Sequence, residues 1–427
     1  MSSIPFSQYN ADLHIHGKYS GGVSNEMLLP IIAKQATRKG IDIIGTGDAV
    51  NPKWRAHIRE SFKEDGEGAY WDGTNATRFV ITAEIEDNRR VHHLLILPSL
   101  SKAEELYEKF KPKSVDIEFE GRPHINLSAE EIAQATTDAG GLFGPCHAFV
   151  PWTSMYKEFN SLKECYGTMA DKVAFLELGL SADTDYADRI EELQSVTFLS
   201  NSDCHSPWPV RLAREFTRFE IAEATFPELA KGILRLNGRR PTLNVKVYPD
   251  EGKYNRTACT RCFAQYSWED ALQLKRRCPQ CKGIIKKGVF DRVNELASWK
   301  EPRHPAHRPP CIHIIPLGEI ISLALGMSSP YTKAVQSEWE RIIDKFGNEV
   351  KVLLDAPIEE LKSVASGRVA YAIECFRSEK ILRHPGGGGK YGTFELPESC
   401  KNENPAKETH EAKPAKKKKG QMSIADF

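Results

Sequence analysis

Short apolar runs alternate with longer amphipathic stretches along the first 240 residues. The runs lie at residues 41–44, 79–84, 91–97, 141–147, 174–179 and 196–205. Before the first run, residues 25–39 have helical composition and are followed by Gly40, as helix C-termini often are. Strands that alternate with helices predict an α/β fold built on a mainly parallel sheet.

Residues 11–16, which read ADLHIH, precede this pattern and carry the first candidate ligands. Side chains alternate faces along a strand, so Asp12, His14 and His16 share one face. Imidazole nitrogens suit zinc, and two of them at this spacing can converge on one ion. Taken alone, the motif is equally compatible with a pair of solvated surface histidines.

The apolar runs that follow also end in, or carry, residues of the types that bind metals. These residues are Asp48, Glu84, His92, His93, His147, Glu177, Asp203 and His205. In parallel α/β folds the chemistry collects at the carboxyl ends of the strands, so we expect these side chains to converge. A carboxylate such as Glu84 can bridge two ions ~3.5–4 Å apart, as two-metal phosphoesterase sites require. The pattern predicts metal-dependent phosphoester hydrolysis, with scattered structural histidines as the alternative.

Short motifs around these residues resemble the motif set of the PHP superfamily. They are LHIH at 13–16, TGD at 46–48, AE at 83–84, HLL at 93–95, PCH at 145–147 and SDCH at 202–205. The resemblance implies an α/β fold, a distorted (β/α)7 barrel with a trinuclear metal site. It implies one metal held by His14, His16, Glu84 and Asp203, a second held by Glu84, His93 and His147, and a third to which Asp48 and His205 contribute. We take Glu84, Asp203 and His205 as the catalytic residues of this set.

Two positions depart from the PHP pattern. Gly21 and Gly22 stand where another histidine is common, and Gly47 precedes Asp48 where the family usually has Asp-His. Both departures bear on the third metal. His92 is the alternative to His93 at the second metal, because adjacent strand residues face opposite ways and only one of them can point inward.

Longer stretches between the motifs resemble one PHP-related family, endonuclease Q. They are EDNRRVHH at 86–93, GRPHINLS at 121–128, GPCHAFVPWTS at 144–154, LGLSAD at 178–183 and GGGGKYG at 386–392. The likeness runs from about residue 11 to about residue 394. It implies incision of DNA on the 5′ side of deaminated bases (uracil, hypoxanthine, xanthine) and of abasic sites.

Four cysteines form a second motif after the barrel pattern. Cys259 and Cys262 make one CxxC pair, and Cys278 and Cys281 make another after fifteen residues. This spacing predicts a zinc ribbon, because two tight turns can each offer two thiolates to one tetrahedral ion. Redox-active pairs are the alternative. Basic residues with interleaved aromatics surround the motif and suit phosphate contact and base stacking; they are Arg256, Arg261, Phe263, Tyr266, Trp268, Lys275, Arg276, Arg277, Lys282, Lys286 and Lys287.

Shifts in composition divide the chain into five segments. We expect a catalytic barrel at 1–240, the ribbon at 241–290, a mainly helical DNA-binding domain at 291–397, a disordered linker at 398–420 and a partner-binding peptide at 421–427. The linker is rich in Lys, Glu, Pro and Ala and has little to bury. In the peptide, Gln421, Ile424 and Phe427 resemble the segment that binds the sliding clamp PCNA. An ordinary frayed terminus is the alternative.

The charge balance and the absence of targeting signals bear on how the protein contacts nucleic acid and where in the cell we expect it. Lys+Arg and Asp+Glu are equal at 58 each, so contact with nucleic acid has to come from local patches. The start lacks the features of a signal peptide and no apolar run reaches the length of a membrane span, so we expect a cytoplasmic protein. We also expect it to be a monomer.

We interpret the chain as a DNA repair endonuclease that binds DNA and PCNA. It would carry a structural Zn²⁺ in the ribbon and Zn²⁺, Mn²⁺ or Mg²⁺ at the catalytic site. The alternatives are a PHP phosphoesterase acting on a small phosphomonoester and a non-catalytic, clamp-tethered DNA-binding protein.

Overall fold

The computed structural model describes residues 5–397. The predicted linker at 398–420 and the predicted clamp-binding peptide at 421–427 lie outside the described residues. The strands up to residue 246 are β1 (Ser7–Asp12), β2 (Ile43–Gly45), β3 (Lys63–Glu64), β4 (Ala69–Trp71), β5 (Arg78–Glu86), β6 (His92–Leu97), β7 (Leu142–Pro145), β8 (Phe175–Glu177), β9 (Thr197–Leu199), β10 (Phe216–Ile221) and β11 (Arg240–Lys246). The helices of this part are α1 (Leu29–Lys39), α2 (Pro52–Ser61), α3 (Leu100–Phe110), α4 (Ala129–Asp138), α5 (Met155–Glu158), α6 (Leu162–Tyr166), α7 (Thr184–Ala187) and α8 (Phe226–Leu234).

The remaining elements form the ribbon and the C-terminal part. They are β12 (Ala258–Cys259), α9 (Trp268–Gln273), β13 (Ile285–Lys286), α10 (Val289–Leu296), β14 (Cys311–His313), α11 (Leu317–Ala324), α12 (Lys333–Phe346), α13 (Ile358–Val364), α14 (Gly367–Arg377), β15 (Leu382–His384) and β16 (Thr393–Glu395). Strand β14 pairs in parallel with β11 and so extends the main sheet. None of the helices among residues 5–397 is long and apolar enough to cross a membrane.

Seven strands follow one another around the candidate ligands. Strands β1, β2 and β5 are parallel neighbours, β6 and β7 continue the sheet antiparallel, and β8 and β9 form a parallel pair. Single backbone contacts bridge the two gaps in this path: Ala174 N donates to Phe143 O at 3.0 Å, and His16 N donates to Cys204 O at 3.2 Å. The result is an α/β barrel of seven strands with an interrupted ladder.

The sequence pattern predicts a mainly parallel sheet, but the sheet of the structure is mixed. The reason lies between β5 and β6, where a tight turn replaces a crossover helix. Asp87 N donates to Val91 O at 2.9 Å, and Arg90 adopts the left-handed backbone conformation that such turns need. A turn this short can only join antiparallel strands.

Helix α1 illustrates how the local sequence forms the outer layer. It begins at Leu29 rather than at residue 25, because Pro30 lies in the first turn, where a missing N–H costs nothing. It ends where Gly40 takes a left-handed conformation with φ of 94°. Ile32, Ala33 and Ala36 form its buried face at helical spacing.

Two buried ion pairs connect the barrel to the C-terminal part. Lys39 Nζ lies 2.6 Å from Glu349 Oε1, and Arg308 Nη2 lies 2.8 Å from Asp188 Oδ1. All four side chains are nearly inaccessible to solvent. Glu349 also accepts from Trp339 Nε1 and Leu317 N, so the pair organises the start of α11 and the middle of α12.

Candidate active site

Four predicted ligands from three separate stretches of chain meet at one end of the barrel. His16 Nε2 lies 3.1 Å from Asp203 Oδ1 and 3.3 Å from Glu84 Oε2. His14 Nε2 lies 3.6 Å from Glu84 Oε1 and 3.7 Å from Asp203 Oδ1. Glu84 and both histidines are buried, whereas the side chain of Asp203 is 30% exposed and forms the open side of the group.

The spacing of these atoms fits a metal ion. Zinc held tetrahedrally by nitrogen and oxygen at ~2.0–2.2 Å separates its ligand atoms by roughly 3.3–3.6 Å. The separations between His16, Asp203 and Glu84 lie close to this range. His14 Nε2 is buried and has no hydrogen-bond partner among the described residues, which is costly unless a cation satisfies it. The donor set of imidazoles and carboxylates is also that of zinc and manganese sites.

A second group shares Glu84 with the first. Its Oε1 atom lies 2.8 Å from His92 Nδ1 and 3.1 Å from His147 Nε2, and these two ring nitrogens are 3.4 Å apart. A carboxylate that faces both groups is suited to bridging two ions.

The structure corrects the expectation for His93. Its ring points away from Glu84 and bonds instead to Asp87 Oδ2 at 3.1 Å and to the Tyr166 hydroxyl at 2.7 Å. The predicted ligand was therefore the wrong member of the pair, and His92 takes the position. Adjacent strand residues face opposite sides, and the sequence alone did not fix which of the two faces inward.

Asp48 and His205 lie at the edges of the first group. Asp48 is buried and accepts hydrogen bonds from His16 Nδ1 at 3.1 Å, Gly17 N at 2.6 Å and the Ser20 hydroxyl at 2.8 Å. His205 Nε2 lies 3.5 Å from Asp203 Oδ1, on the exposed side. The predicted ligands of a third metal are thus near the cluster, but Asp48 Oδ1 contacts His16 and Asp48 Oδ2 accepts from Gly17 N and the Ser20 hydroxyl.

Glu177 and Arg122 also belong to the site. Glu177 was expected to converge with the ligands but had no assigned role, and Arg122 was not predicted. Glu177 Oε2 accepts from His14 Nδ1 at 2.8 Å and from His147 N at 3.2 Å. Arg122 Nη1 lies 3.4 Å from Glu84 Oε2. Glu177 ends the strand β8, so the strand-end signal that identified the ligands also applied to it. Arg122 lies in the 121–128 stretch, where the sequence offers only the family likeness.

The cluster has an excess of negative charge that raises the pKa values of its cations. Burial alone would lower the pKa of His14, but Glu177, Glu84 and Asp203 together raise it well above its ordinary value. The pKa of Arg122 is raised in the same way, against burial, by Glu84 and Asp203. A bound cation would compensate the negative charge of these buried carboxylates, so the electrostatics also fit a metal centre.

Three of the predicted site residues adopt a backbone conformation that is rare outside glycine. Asp48, His147 and Asp203 have φ of 50°, 29° and 46°. Such conformations cost about 1–3 kcal/mol each and persist where surrounding structure enforces them, often at functional sites. Gly47, which precedes Asp48, also has positive φ, and a Cβ there would strike the backbone oxygen of Ile15. This close approach explains why residue 47 is glycine in this chain, where the PHP pattern usually has aspartate.

A cleft of about 240 Å³ opens onto the cluster. On its floor are His92, Arg122, His147, Asp203 and His205. Aromatic rings line the cleft: Trp152 and Tyr391 are exposed, and Trp152 packs edge-on against the half-buried Tyr254. The cleft therefore combines a charged floor with apolar walls.

The four cysteines of the ribbon also converge. Cys259 Sγ lies 3.4 Å from Cys281 Sγ, and Cys262 Sγ lies 3.5 Å from Cys278 Sγ. Sulfur atoms around one tetrahedral zinc are roughly 3.8 Å apart, so the four atoms fit a single ion. The hydrogen bond from the Tyr266 hydroxyl is the main cause that lowers the pKa of Cys278 to about 6.

The glycine run at 386–389 packs against this ribbon. A Cβ at Gly387 would lie 2.7 Å from Arg256 O, and Gly388, with φ of 67°, approaches Cys259 O. This close backbone contact explains why Gly387 and Gly388 have no side chain.

Comparison with known proteins gives several relatives. The family model described as the MJ0043 C-terminal domain matches residues 316–380. The uncharacterized protein MJ0043 of Methanocaldococcus jannaschii is 46% identical over 276 residues, which cover 64% of this chain and 34% of that protein, so the chain spans about a third of its length. The uncharacterized protein YqxK of Bacillus subtilis is 30% identical over 408 residues, or 90% of this chain and 98% of that protein.

Two solved structures resemble nearly the whole chain. The crystal structure of the lesion-specific endonuclease PfuEndoQ from Pyrococcus furiosus superposes with a TM-score of 0.88 at 48% identity, covering 93% of this chain and 98% of that one. Endonuclease Q in complex with a 27-mer duplex that has an abasic lesion at the active site gives a TM-score of 0.87 at 48% identity, with 92% and 98% covered.

The fold and the ligand cluster define an α/β-barrel enzyme with a candidate metal centre. Within that class, the chain belongs to the endonuclease Q family.

Proposed function

We propose that this protein is a metal-dependent DNA repair endonuclease. It hydrolyses the phosphodiester bond on the 5′ side of uracil, hypoxanthine, xanthine and abasic sites in DNA. The observation that carries the proposal is the likeness, over nearly the whole chain, to an endonuclease Q bound to a duplex with an abasic lesion at its active site. The ligand cluster at the floor of an open cleft supports it.

Each side chain of the cluster has a role in this reaction. His14, His16, Glu84 and Asp203 would hold one divalent ion, and Glu84, His92 and His147 a second. Bound divalent ions supply Lewis-acid chemistry, which activates water at neutral pH and offsets charge on a phosphate.

Two further residues act directly on the substrate. Arg122 lies on the cleft floor and can bind two oxygens of the target phosphate with its planar guanidinium. His205 lies on the open side, 33% exposed, where it can protonate the leaving oxygen.

The ribbon and the C-terminal tail extend the proposal to partners. Four converging thiolates would hold a structural Zn²⁺, and the basic residues around them would contact DNA. Residues 421–427 lie outside the described residues; their likeness to a clamp-binding peptide supports PCNA as a partner.

The test is a substrate panel offered to the purified protein with Zn²⁺, Mn²⁺ or Mg²⁺. It contains labelled duplexes with one uracil, one hypoxanthine, one xanthine or one abasic site, the undamaged duplex, and a small phosphomonoester. We expect incision of the damaged duplexes only. Turnover of the phosphomonoester without DNA incision would favour the small-molecule phosphoesterase, and binding without turnover of any substrate would favour the non-catalytic alternative.

A further inference from the structure

A second cleft lies between the barrel and the ribbon. It has a volume of about 420 Å³. The barrel contributes Phe149, Pro151 and Lys157 to one wall. The ribbon and the start of α10 contribute the other, which includes Trp268, Arg276, Lys286, Lys287 and Arg292.

Positive charge is in excess in this cleft. Two carboxylates engage three of its five cations: Glu158 pairs with Lys157, and Glu295 pairs with Lys287 and Arg292. The other two cations, Arg276 and Lys286, have no carboxylate within ion-pair distance among residues 5–397.

The two unpaired cations are held close to other cations. Lys286 is partly buried, with its ammonium over the ring of Trp152. Burial, then Lys157 and Arg276, lower the pKa of Lys286 to about 8. A bound anion would relieve this repulsion.

This second cleft, the ribbon cleft, adjoins the catalytic one, and Lys286 of the ribbon cleft lies over the ring of Trp152 of the catalytic cleft. Trp152 lines the catalytic cleft, and the residue before it, Pro151, lines the ribbon cleft. The segment that carries them begins at His147, which contacts Glu84. A polynucleotide strand whose target phosphate lies at the carboxylate cluster can therefore continue into the ribbon cleft.

We propose that the ribbon cleft is a phosphate-binding site for the DNA strand next to the incision point, with Arg276 and Lys286 as its central contacts and Lys157 facing them from the barrel. The inference rests on the proposed function because its ligand is the backbone of that substrate. Phosphate contacts of this kind fix the register of a protein on DNA without reading sequence. Trp268 adds an aromatic face, with the Lys287 ammonium 4.1 Å from its ring centroid, against which a sugar or base can stack.

The experiment measures DNA affinity as a function of salt for the full chain in an Asp203→Asn background, which prevents incision during the measurement. Each phosphate contact that is lost lowers the slope of log Kobs against log salt by about 1, so Arg276→Gln/Lys286→Gln should lower it by about 2. The matched control Lys102→Gln/Lys109→Gln removes two charges from the outer helix α3 and should leave the slope unchanged.

A single variant on the other wall guards against misfolding of the ribbon. Lys157→Gln lies on the barrel and should lower the slope by about 1 with the zinc content unaltered. The variants should lose the same fraction of their affinity for undamaged duplex as for damaged duplex. Slopes equal to that of the control, or a loss confined to damaged DNA, would overturn the inference. A wild-type protein that incises nothing would contradict the proposed function but not these slopes.

Discussion

His14 Nδ1 donates a hydrogen bond to Glu177 Oε2 at 2.8 Å, deep beneath the ligand cluster. A proton held on Nδ1 leaves the lone pair on Nε2, the atom that faces Glu84 and Asp203. Glu177 is thus a positioning residue, which fixes both the tautomer and the orientation of a candidate ligand.

Loss of Glu177 should weaken metal binding without removing a ligand. Carboxylates behind a ligating histidine typically contribute a factor of roughly 10–100 in metal affinity. We expect Glu177→Ala to lose its metal at a chelator concentration at least about ten times lower than wild type does. Glu177→Gln can still accept a hydrogen bond from His14 and should fall between these two proteins. Competition with a metal-binding dye measures this. Equal retention by all three proteins would refute the role.

The neighbouring histidines of β6 provide an internal comparison. His92→Ala should lower the metal content of the cluster and reduce incision by at least a factor of about 100, because it removes a side chain that faces Glu84. His93→Ala should keep the metal and instead destabilise the fold by roughly 1–3 kcal/mol, because Asp87 loses a buried partner. Metal analysis and chemical denaturation of both variants decide the assignment, and the reverse pattern would restore His93 as the ligand.

The sequence predicted the convergence of strand-end residues better than their individual roles. His14, His16, Glu84 and Asp203 could be anticipated, because any α/β barrel brings its strand ends together. Arg122 could not, because it lies on a loop whose path depends on the whole fold. The choice between His92 and His93 depends on which alternate residues of β6 face the cluster. The turn before the strand determines this, and an apolar run with a histidine at both positions does not reveal it.

Removing a ligand should separate chemistry from binding. Asp203→Asn replaces a charged carboxylate of the cluster by a neutral amide, and His147→Ala removes an imidazole that faces the cluster. DNA affinity comes mainly from phosphate contacts elsewhere. We expect both variants to lose incision and to bind damaged duplex within a few-fold of wild type by fluorescence anisotropy. Full activity in either would contradict the metal assignment.

The ribbon should depend on its ion for folding. Replacing Cys259 and Cys262 by Ser leaves only two thiolates, and ion binding and folding of small zinc domains are coupled. We expect the loss of one zinc per chain by native mass spectrometry and increased proteolysis between residues 250 and 290. Unchanged zinc content would count against a structural ion there.

The buried pair of Lys39 and Glu349 should be sensitive to removal of one partner. Lys39→Met leaves a carboxylate in a dry interior and is expected to cost about 3–5 kcal/mol in the free energy of unfolding. Adding Glu349→Gln should recover part of this, because the amide oxygen can still accept from Trp339 and Leu317. The exposed pair Lys102 and Glu105 is the control, and its double replacement should change stability little. Urea denaturation measures all three variants.

Deletion of residues 421–427 tests the clamp partner. A linker of the length of 398–420 spans ~25 Å by random-coil scaling, so clamp binding would raise the local concentration of the enzyme on DNA without altering its chemistry. We expect the truncated protein to lose calorimetric binding to PCNA and the stimulation of incision by it, while incision without the clamp stays unchanged. Phe427→Ala should account for ~2 kcal/mol or more of the binding energy. Undiminished binding by the truncated protein would exclude this peptide.

The position of the cut on a single-lesion duplex tests the central claim most directly. A duplex with one uracil and a label at the 5′ end of the damaged strand is incubated with wild type and with Asp203→Asn, and the products are sized at single-nucleotide resolution. The account predicts one labelled product from wild type, ending at the nucleotide before the uracil, and none from the variant. A cut on the 3′ side, cleavage of the undamaged duplex at the same rate, or the same product from Asp203→Asn would contradict it.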